Sequence, residues 1–349
     1  ITGVTGFLGI HLLKDLLFSD KTKKIYCIIR NKINQNGKQR LDSMIKYYFN
    51  NDEKILELVD KKIVILNGDV TKDFLGLGPF LYKELRTVIT TVINSAANVR
   101  HFVKPAQIMK DNVESVQKII DFCGTQISLA HISTLSVIGN HLKAGSVFDE
   151  NSLYVGQELN NPYLISKFEA EKIILCAINN NKLNACIFRM GNIMPRLSDG
   201  VFQENANQNA FIVALKAIID CNMLPDSFVN IPIEFSPVDE CSKFVISLLE
   251  HDFKYTIYHI ANNNNFTFAD LQRILAKLNI NLDIVSWDTF INKLAQYADE
   301  YTKEYLSSNE MATFMQARTI QNLKSIDLSW KNVDLDYIKY IINIISNLQ

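Results

Sequence analysis

The chain has no C-x-x-C pair, no histidine cluster with metal-ligand spacing, no internal repeat and no apolar run long enough to span a bilayer. Each absence removes a class of protein. The six cysteines (Cys27, Cys123, Cys176, Cys186, Cys221 and Cys241) are scattered, most in apolar settings such as Tyr26-Cys27-Ile28 and Leu175-Cys176-Ala177. They read as buried reduced thiols, ahead of disulfides or zinc ligands. The six histidines lack ligand spacing, so no metal is expected. With no membrane span and no signal peptide, the expectation is a soluble, cytoplasmic protein. Charge of one sign is lacking too: 36 basic residues face 37 acidic ones, a net charge of −1. Such a balance argues against nucleic acid or an anionic membrane as partner. What is present is 349 residues, 48% apolar and 21% charged. That is enough for one large or two modest domains around a sizeable core.

The most informative stretch is Ile1-Thr2-Gly3-Val4-Thr5-Gly6-Phe7-Leu8-Gly9, which reads as a strand end, a glycine turn and the opening of a helix. Gly3 allows a tight turn, Gly6 lets the backbone approach a ligand, and Gly9 lets the helix pack closely on a sheet. Free N–H groups and the positive helix end then suit a pyrophosphate. Only Ile1 and Thr2 precede the turn, whereas a first strand needs about five residues. The chain is therefore expected to begin inside an element, as a fragment of something longer.

Strands and helices alternate after this opening. Strands are predicted at 24–30, 62–70, 87–94, 128–133 and 185–189, mostly apolar as parallel strands are. A lysine-rich helical stretch runs to about Asp60, and further helices are predicted near 111–123 and from Tyr163 to Asn179. The pattern predicts an α/β protein with a Rossmann-type doubly wound parallel sheet. Beyond Pro195 the alternation ends. Residues 200–230 and 265–349 read as largely helical, and 231–262 as a return to the sheet through Ile257-Tyr258-His259-Ile260. The predicted division is a dinucleotide-binding domain, 1–195 with about 231–262, and a smaller, mainly helical C-terminal substrate domain, about 196–230 and 263–349, capping the carboxyl edge of the sheet. Trp330 and the stripe Tyr337, Ile341, Ile344 and Ile345 predict a docked terminal helix.

Chemistry-bearing residues fall at the predicted strand ends. Arg30 closes the second strand 21 residues after Gly9. An acidic residue there would bind a ribose 2′-hydroxyl, whereas a cation suits a 2′-phosphate, and Arg40 could supply a second fork. Arg30 and Arg40 therefore favour NADPH, the alternative being solvated basic residues. Asp69-Val70 ends the third strand and would lie beside the adenine, although such an aspartate is commonly a turn. Ser95-Ala96-Ala97 ends the fourth strand with small residues that leave room for a cofactor. Ser133-Thr134 ends the fifth. Tyr163 and Lys167, spaced i, i+4, share one helical face. An ammonium at Lys167 can hold the nicotinamide ribose and favour phenol ionisation, making Tyr163 a proton donor and Thr134 a second donor to the same substrate oxygen. An isolated Y-x-x-x-K is commonly an ordinary amphipathic helix; its position after the glycine turn, Arg30 and a Ser-Thr strand end is what reads as a site.

Together, Thr2 through Gly9, Arg30, Asp69-Val70, Ser133-Thr134-Leu135-Ser136-Val137, Asn161-Pro162-Tyr163 through Lys167, and Arg189-Met190-Gly191-Asn192-Ile193 resemble an extended short-chain dehydrogenase/reductase. More narrowly, the chain resembles the terminal thioester reductase domains of nonribosomal peptide synthetases, whose relatives occur in carboxylic acid reductases and aminoadipate reductases. The close match covers about residues 1–240. The resemblance implies that Gly3, Gly6 and Gly9, with Thr5, Phe7 and Leu8 beside them, hold the pyrophosphate of NADPH, and that Arg30 and Arg40 hold its 2′-phosphate. It implies Thr134, Tyr163 and Lys167 as the catalytic set, Ser133 at the cofactor, and Asn192-Ile193 bordering the nicotinamide. Pro195 departs from the many extended relatives that have Gly there, so the loop into the substrate domain takes a different path.

The implied reaction is NADPH-dependent reductive release of a peptidyl or aminoacyl thioester, delivered by the phosphopantetheine arm of a carrier domain, as an aldehyde or onward to an alcohol. A monomeric domain of a larger multidomain chain is expected. Three alternatives stay open: a fatty acyl-CoA reductase, an NAD-dependent nucleotide-sugar epimerase or dehydratase, and an NADPH-binding regulator without catalysis. Arg30 disfavours the second, and the Tyr163–Lys167 pair disfavours the third.

Overall fold

The computed structural model describes residues 1–99, 104–139, 147–251, 256–307 and 314–348. Its main sheet contains β1 (Ile25–Ile29), β2 (Ile63–Asn67), β3 (Thr91–Asn94), β4 (Ser128–Thr134), β5 (Ala185–Met190) and the strand Ile257–Ile260. β1 pairs with β2, β3 with β4, β4 with β5, and β5 with Ile257–Ile260, always in parallel. Thr2 bridges Ile28 of β1 and Asn94 of β3. Its N–H donates to the Ile93 carbonyl at 3.0 Å, while Ile28 donates to the Ile1 carbonyl at 3.1 Å. The opening dipeptide thus lies where the strand order reverses, the place at which doubly wound sheets bind ligands.

Both faces of this sheet are covered, which is why its strands are apolar at nearly every position. Leu66, Val92, Leu129, Ile187 and Ile257 join Val116, Ile119 and Ile120 of the helix Ser115–Cys123 and Ala170 and Ile174 of the helix Pro162–Asn179 in one core. The alternate residues Cys27, Ala130, Phe188 and Tyr258 are buried as well. Phe188 and Tyr258 stack with ring centroids 5.3 Å apart. All six cysteines are unpaired, but Cys176 is exposed, because its position on the Pro162–Asn179 helix faces away from that core.

The chain separates into two compact units. The first comprises Ile1–Met190, Cys241–Ile260 and Phe314–Leu328, and the second Gly191–Glu240, Ala261–Thr313 and Ser329–Gln349. The second contains the helices Ala210–Cys221, Phe268–Lys277, Trp287–Leu294 and Leu335–Ser346. On the last of these, Tyr337, Ile341 and Ile345 are buried, and the Tyr337 hydroxyl donates to the Pro195 carbonyl at 2.8 Å.

Several element boundaries differ from the expectation. Thr87 and Val88 end a helix, Pro79–Val88, instead of opening a strand. A proline in its first turn and apolar residues at Leu81 and Leu85 outweigh the β-branched residues at its end. The lysine-rich stretch is two helices, α2 (Gly37–Phe49, after α1, Phe7–Phe18) and Glu53–Lys62, divided by the left-handed Asn50 and Asn51. Segments expected to be helical also hold the parallel pair Met223–Pro225 and Asp283–Val285, and 231–262 contains the helix Val238–Glu250. Part of the helical expectation, 308–313 and 349, lies outside the described residues. No helix of the described residues is long and apolar enough to cross a membrane.

Ile174 is fully buried between sheet and helix. Ile174→Ala should therefore cost about 2–5 kcal/mol, read as a lower urea midpoint at unchanged m-value. An unchanged midpoint would place that helix elsewhere.

Candidate active site

The opening turn is built by close backbone approach. Gly3 has φ +73°, and a Cβ there would strike the backbone of Ser95 and Ala96; one at Gly9 would strike the Gly3 carbonyl. The Gly6 N–H donates to the Gly3 carbonyl at 2.9 Å, and α1 begins at Phe7 with Gly6 as its cap. Neither a side-chain cap nor an acidic residue occupies its first turn, so its positive end is available to an anion. Gly6 is exposed and Thr5 half-buried, whereas Leu8 and Gly9 pack inward.

Two cations stand beside this turn. Arg40, on α2, donates to the Arg30 carbonyl at 2.5 Å and to Thr5 Oγ1 at 2.8 Å. Burial and the charge of Arg30 both hold its guanidinium below the usual arginine range. Arg30 is exposed and reaches one carboxylate, Asp69, at 3.9 Å. Two like charges held close gain most from a multiply charged anion, so a dinucleotide phosphate fits these residues. Asp69 Oδ1 accepts from the Thr71 N–H at 2.9 Å and the Thr71 hydroxyl at 2.7 Å, an aspartate-capped turn. Val70 packs against the core.

A buried polar ladder crosses the strand ends. Thr2 Oγ1 donates to Asn94 Oδ1 at 2.7 Å, and Asn94 Nδ2 lies 3.1 Å from His131 Nδ1. Asn94 can only donate through that nitrogen, so Nδ1 accepts and the ring proton sits on Nε2. The small residues Ser95, Ala96 and Ala97 follow, all half-exposed. Asn112 holds the end of this loop. Its Oδ1 accepts from the Asn98 N–H at 2.7 Å, and its Nδ2 donates to the Asn98 carbonyl and to Ser166 Oγ, both at 2.9 Å. Asn112 sits in a π-helical turn, Lys110–Glu114, a feature frequent at functional sites. Sequence periodicity carries no signal for it.

Lys167 and Tyr163 occupy the helix that Asn161 caps by accepting from the Tyr163 N–H at 2.8 Å. Lys167 Nζ is buried and donates to the Ile132 carbonyl of β4 at 3.0 Å. Burial pulls its ammonium down to about 8, with Glu171 acting in the opposite direction. Burial pushes the Tyr163 phenol up to about 12. This runs against the expected ionisation: desolvation dominates, and the phenol stays a neutral O–H donor at neutral pH. Thr134 is half-buried at the end of β4, where its Oγ1 accepts from the Ser136 N–H at 3.1 Å. The hydroxyl of Ser133, a residue expected at the cofactor, faces inward and donates to the buried Glu171 carboxylate at 2.5 Å. Sequence reasoning missed Glu171, although it continues the Tyr163–Lys167 face by one more turn.

Asn192 and Ile193 belong to the second unit. The Asn192 N–H donates to Glu234 Oε2 at 2.5 Å, and Ile193–Met194 pairs in parallel with Ser236–Pro237. Burial raises the Glu234 carboxyl to about 7, against hydrogen bonds from Asn192, Ser236 and Asn262. An apolar cavity of about 670 Å³ lies at the amino ends of β1 and β3, away from the strand ends that carry Ser95 and Thr134. Among the described residues, no group of three or more His, Cys, Asp or Glu could hold a metal ion.

Comparison with known proteins places this geometry. The model of an NAD-binding family described as "Male sterility protein" matches residues 1–245. The chain is 26% identical over 348 residues to probable polyketide synthase 30 of Dictyostelium discoideum, covering 84% of this chain and 11% of that protein. It is 26% identical over 306 residues to a linear gramicidin synthase of Brevibacillus parabrevis, covering 86% of this chain and 6% of that one. It thus spans a small part of these relatives. A thiolation-reductase di-domain from an archaeal nonribosomal peptide synthetase superposes with TM-score 0.86 at 29% identity, over 99% of this chain and 74% of that one. With a family model matching well over half its length, the chain belongs to the NAD-binding "male sterility" family and has the fold of nonribosomal peptide synthetase reductase domains.

Proposed function

We propose that this chain is an NADPH-dependent thioester reductase that releases a peptidyl or aminoacyl group from a phosphopantetheinylated carrier domain as an aldehyde. The observation that carries the reading is the buried Lys167 and the neutral phenol of Tyr163 on one helical face, packed against the strand that ends in Thr134. The similarity to a thiolation-reductase di-domain supports a carrier domain as the partner. The glycine turn and the open end of α1 would receive the pyrophosphate, with Arg30 and Arg40 on the 2′-phosphate. This preference supports NADPH over the bound NAD of an epimerase.

When bound, the dinucleotide supplies hydride to the thioester carbon. Tyr163 and Thr134 donate hydrogen bonds to the carbonyl oxygen, stabilising the charge that develops there, and Tyr163 provides the proton. Lys167 would hold the nicotinamide ribose of the bound dinucleotide and stabilise the phenolate that remains. The product of this step is a thiohemiacetal; breaking its C–S bond frees the carrier thiol and the aldehyde. A second hydride would carry the aldehyde to an alcohol.

The direct test is oxidation of NADPH and NADH with an acyl-phosphopantetheine thioester, with the product identified. Faster NADPH oxidation accompanied by aldehyde or alcohol is expected. Cofactor binding without oxidation of either would defeat the reading. Tyr163→Phe should lower kcat by about 10²–10⁴-fold, and turnover near the wild-type rate would remove Tyr163 from the mechanism. Removing the Arg30 and Arg40 guanidiniums together should raise KM for NADPH at least about tenfold, with little effect on NADH. Because Lys167 is drawn down to about 8, kcat/KM should decline as pH rises through that value, where the ammonium is lost.

A further inference from the structure

One heavily bonded group in the first unit, Arg189, takes no part in the proposed reaction. The Arg189 guanidinium is wholly buried on β5. Its Nε donates to the Glu171 carboxylate at 3.1–3.2 Å, and its Nη2 to Glu171 Oε2 and the Ser152 carbonyl, both at 2.7 Å. Its Nη1 lies 3.1 Å from His259 Nε2 and 3.5 Å from the Asp149 carbonyl. An arginine only donates, so His259 Nε2 accepts and its Nδ1–H donates to the Met315 carbonyl at 2.9 Å. Burial, with Arg189 adding to it, draws His259 down to about 3 and keeps it neutral. The Phe148 ring covers the guanidinium at 4.7 Å.

Against this saturated cation stands Glu171, and its position connects it to the site. It lies four residues beyond Lys167 and eight beyond Tyr163, so the three share a helical face. One of its oxygens accepts a hydrogen bond from the hydroxyl of Ser133, the residue next to Thr134. Glu171 also opposes the desolvation of Lys167. Among the described residues, the other groups that face Lys167 carry no negative charge. His131, on β4, is held neutral by burial and by Lys167 itself; the Ile132 carbonyl is a dipole, and Tyr163 is protonated. A buried ion pair is costly to desolvate and can often be replaced by apolar residues without loss of stability, so stability alone is a weak reason for a carboxylate here.

We propose that Glu171 is a positioning residue of the reductase site: anchored by Arg189, its carboxylate fixes Ser133 at the end of β4 and places a negative charge one helical turn beyond the buried Lys167. This rests on the roles assigned above to Lys167 and Thr134. Arg189 orients Glu171 through its three bonds, and the neutral tautomer of His259 orients Arg189 in turn.

The test follows the Lys167 titration directly in the cofactor-free chain, by NMR of 13Cε-labelled lysine with the resonance assigned through Lys167→Arg. In Glu171→Gln the Lys167 midpoint should fall by about one pH unit or more, and Glu171→Asp, which keeps the charge, should restore most of it. The alkaline limb of kcat/KM should move toward lower pH by the same amount. Should Glu171→Gln fail to fold, the volume-matched double variant Glu171→Leu/Arg189→Met removes both charges and should lower the midpoint in the same direction. An unchanged Lys167 midpoint in either folded variant overturns the proposal, whatever the activity. A wild-type chain that reduces no thioester overturns the reductase reading alone, because the lysine titration is read without turnover.

Discussion

The most tightly constrained contact described in the first unit is the buried one between Arg189 and Glu171. A guanidinium removed from water is tolerated only if its N–H groups all find acceptors. Here the acceptors come from the helix Pro162–Asn179, the loop at Asp149–Ser152 and the strand Ile257–Ile260. Meeting that requirement fixes β5 and its neighbours relative to one another. The chain returns to the same place once more: Phe314 bridges Phe148, and Glu150 accepts from the N–H and hydroxyl of Thr319 at 2.6 and 2.5 Å. The late segment Phe314–Leu328 therefore belongs with the sheet, far though it is in sequence.

A second constraint acts at the other side of the sheet reversal. Close packing of Gly3 and Gly9 against neighbouring backbone leaves no space for a β-carbon, so the turn is defined by what those residues lack. Arg40 then ties α2 to the turn through Thr5. The two constraints meet in the polar ladder Thr2–Asn94–His131 and in the Asn98–Asn112–Ser166 bonds, which run from the glycine turn toward the Tyr163 helix. The described contacts between the glycine turn and the Tyr163 helix are thus carried by buried and half-buried side chains.

Much of this was legible in the chain. Alternating apolar strands and helices define a doubly wound sheet because parallel strands covered on both faces need apolar residues throughout. Glycines at three-residue intervals mark a turn because few other residues permit that approach. Legibility failed where local propensity and packing disagreed. Thr87 and Val88 look like strand residues but finish a helix begun at a proline. Cys176 looks internal but faces outward. Ser133 sits at a strand end that reads as ligand-facing, yet its hydroxyl points to a carboxylate 38 residues away.

Residue order alone was enough for the succession of elements, the glycine turn, the spacing that aligns Tyr163 with Lys167, and the pair of arginines beside the turn. These are local properties, set by periodicity and by the conformational range of single residues. How those residues are charged and held is a tertiary matter. Desolvation keeps Tyr163 neutral and draws Lys167 toward neutrality, and it depends on every atom packed around them, not on their neighbours in the chain. The same holds for Glu171, whose partners Ser133 and Arg189 are remote in sequence and come together only when β4, β5 and the helix close on one another.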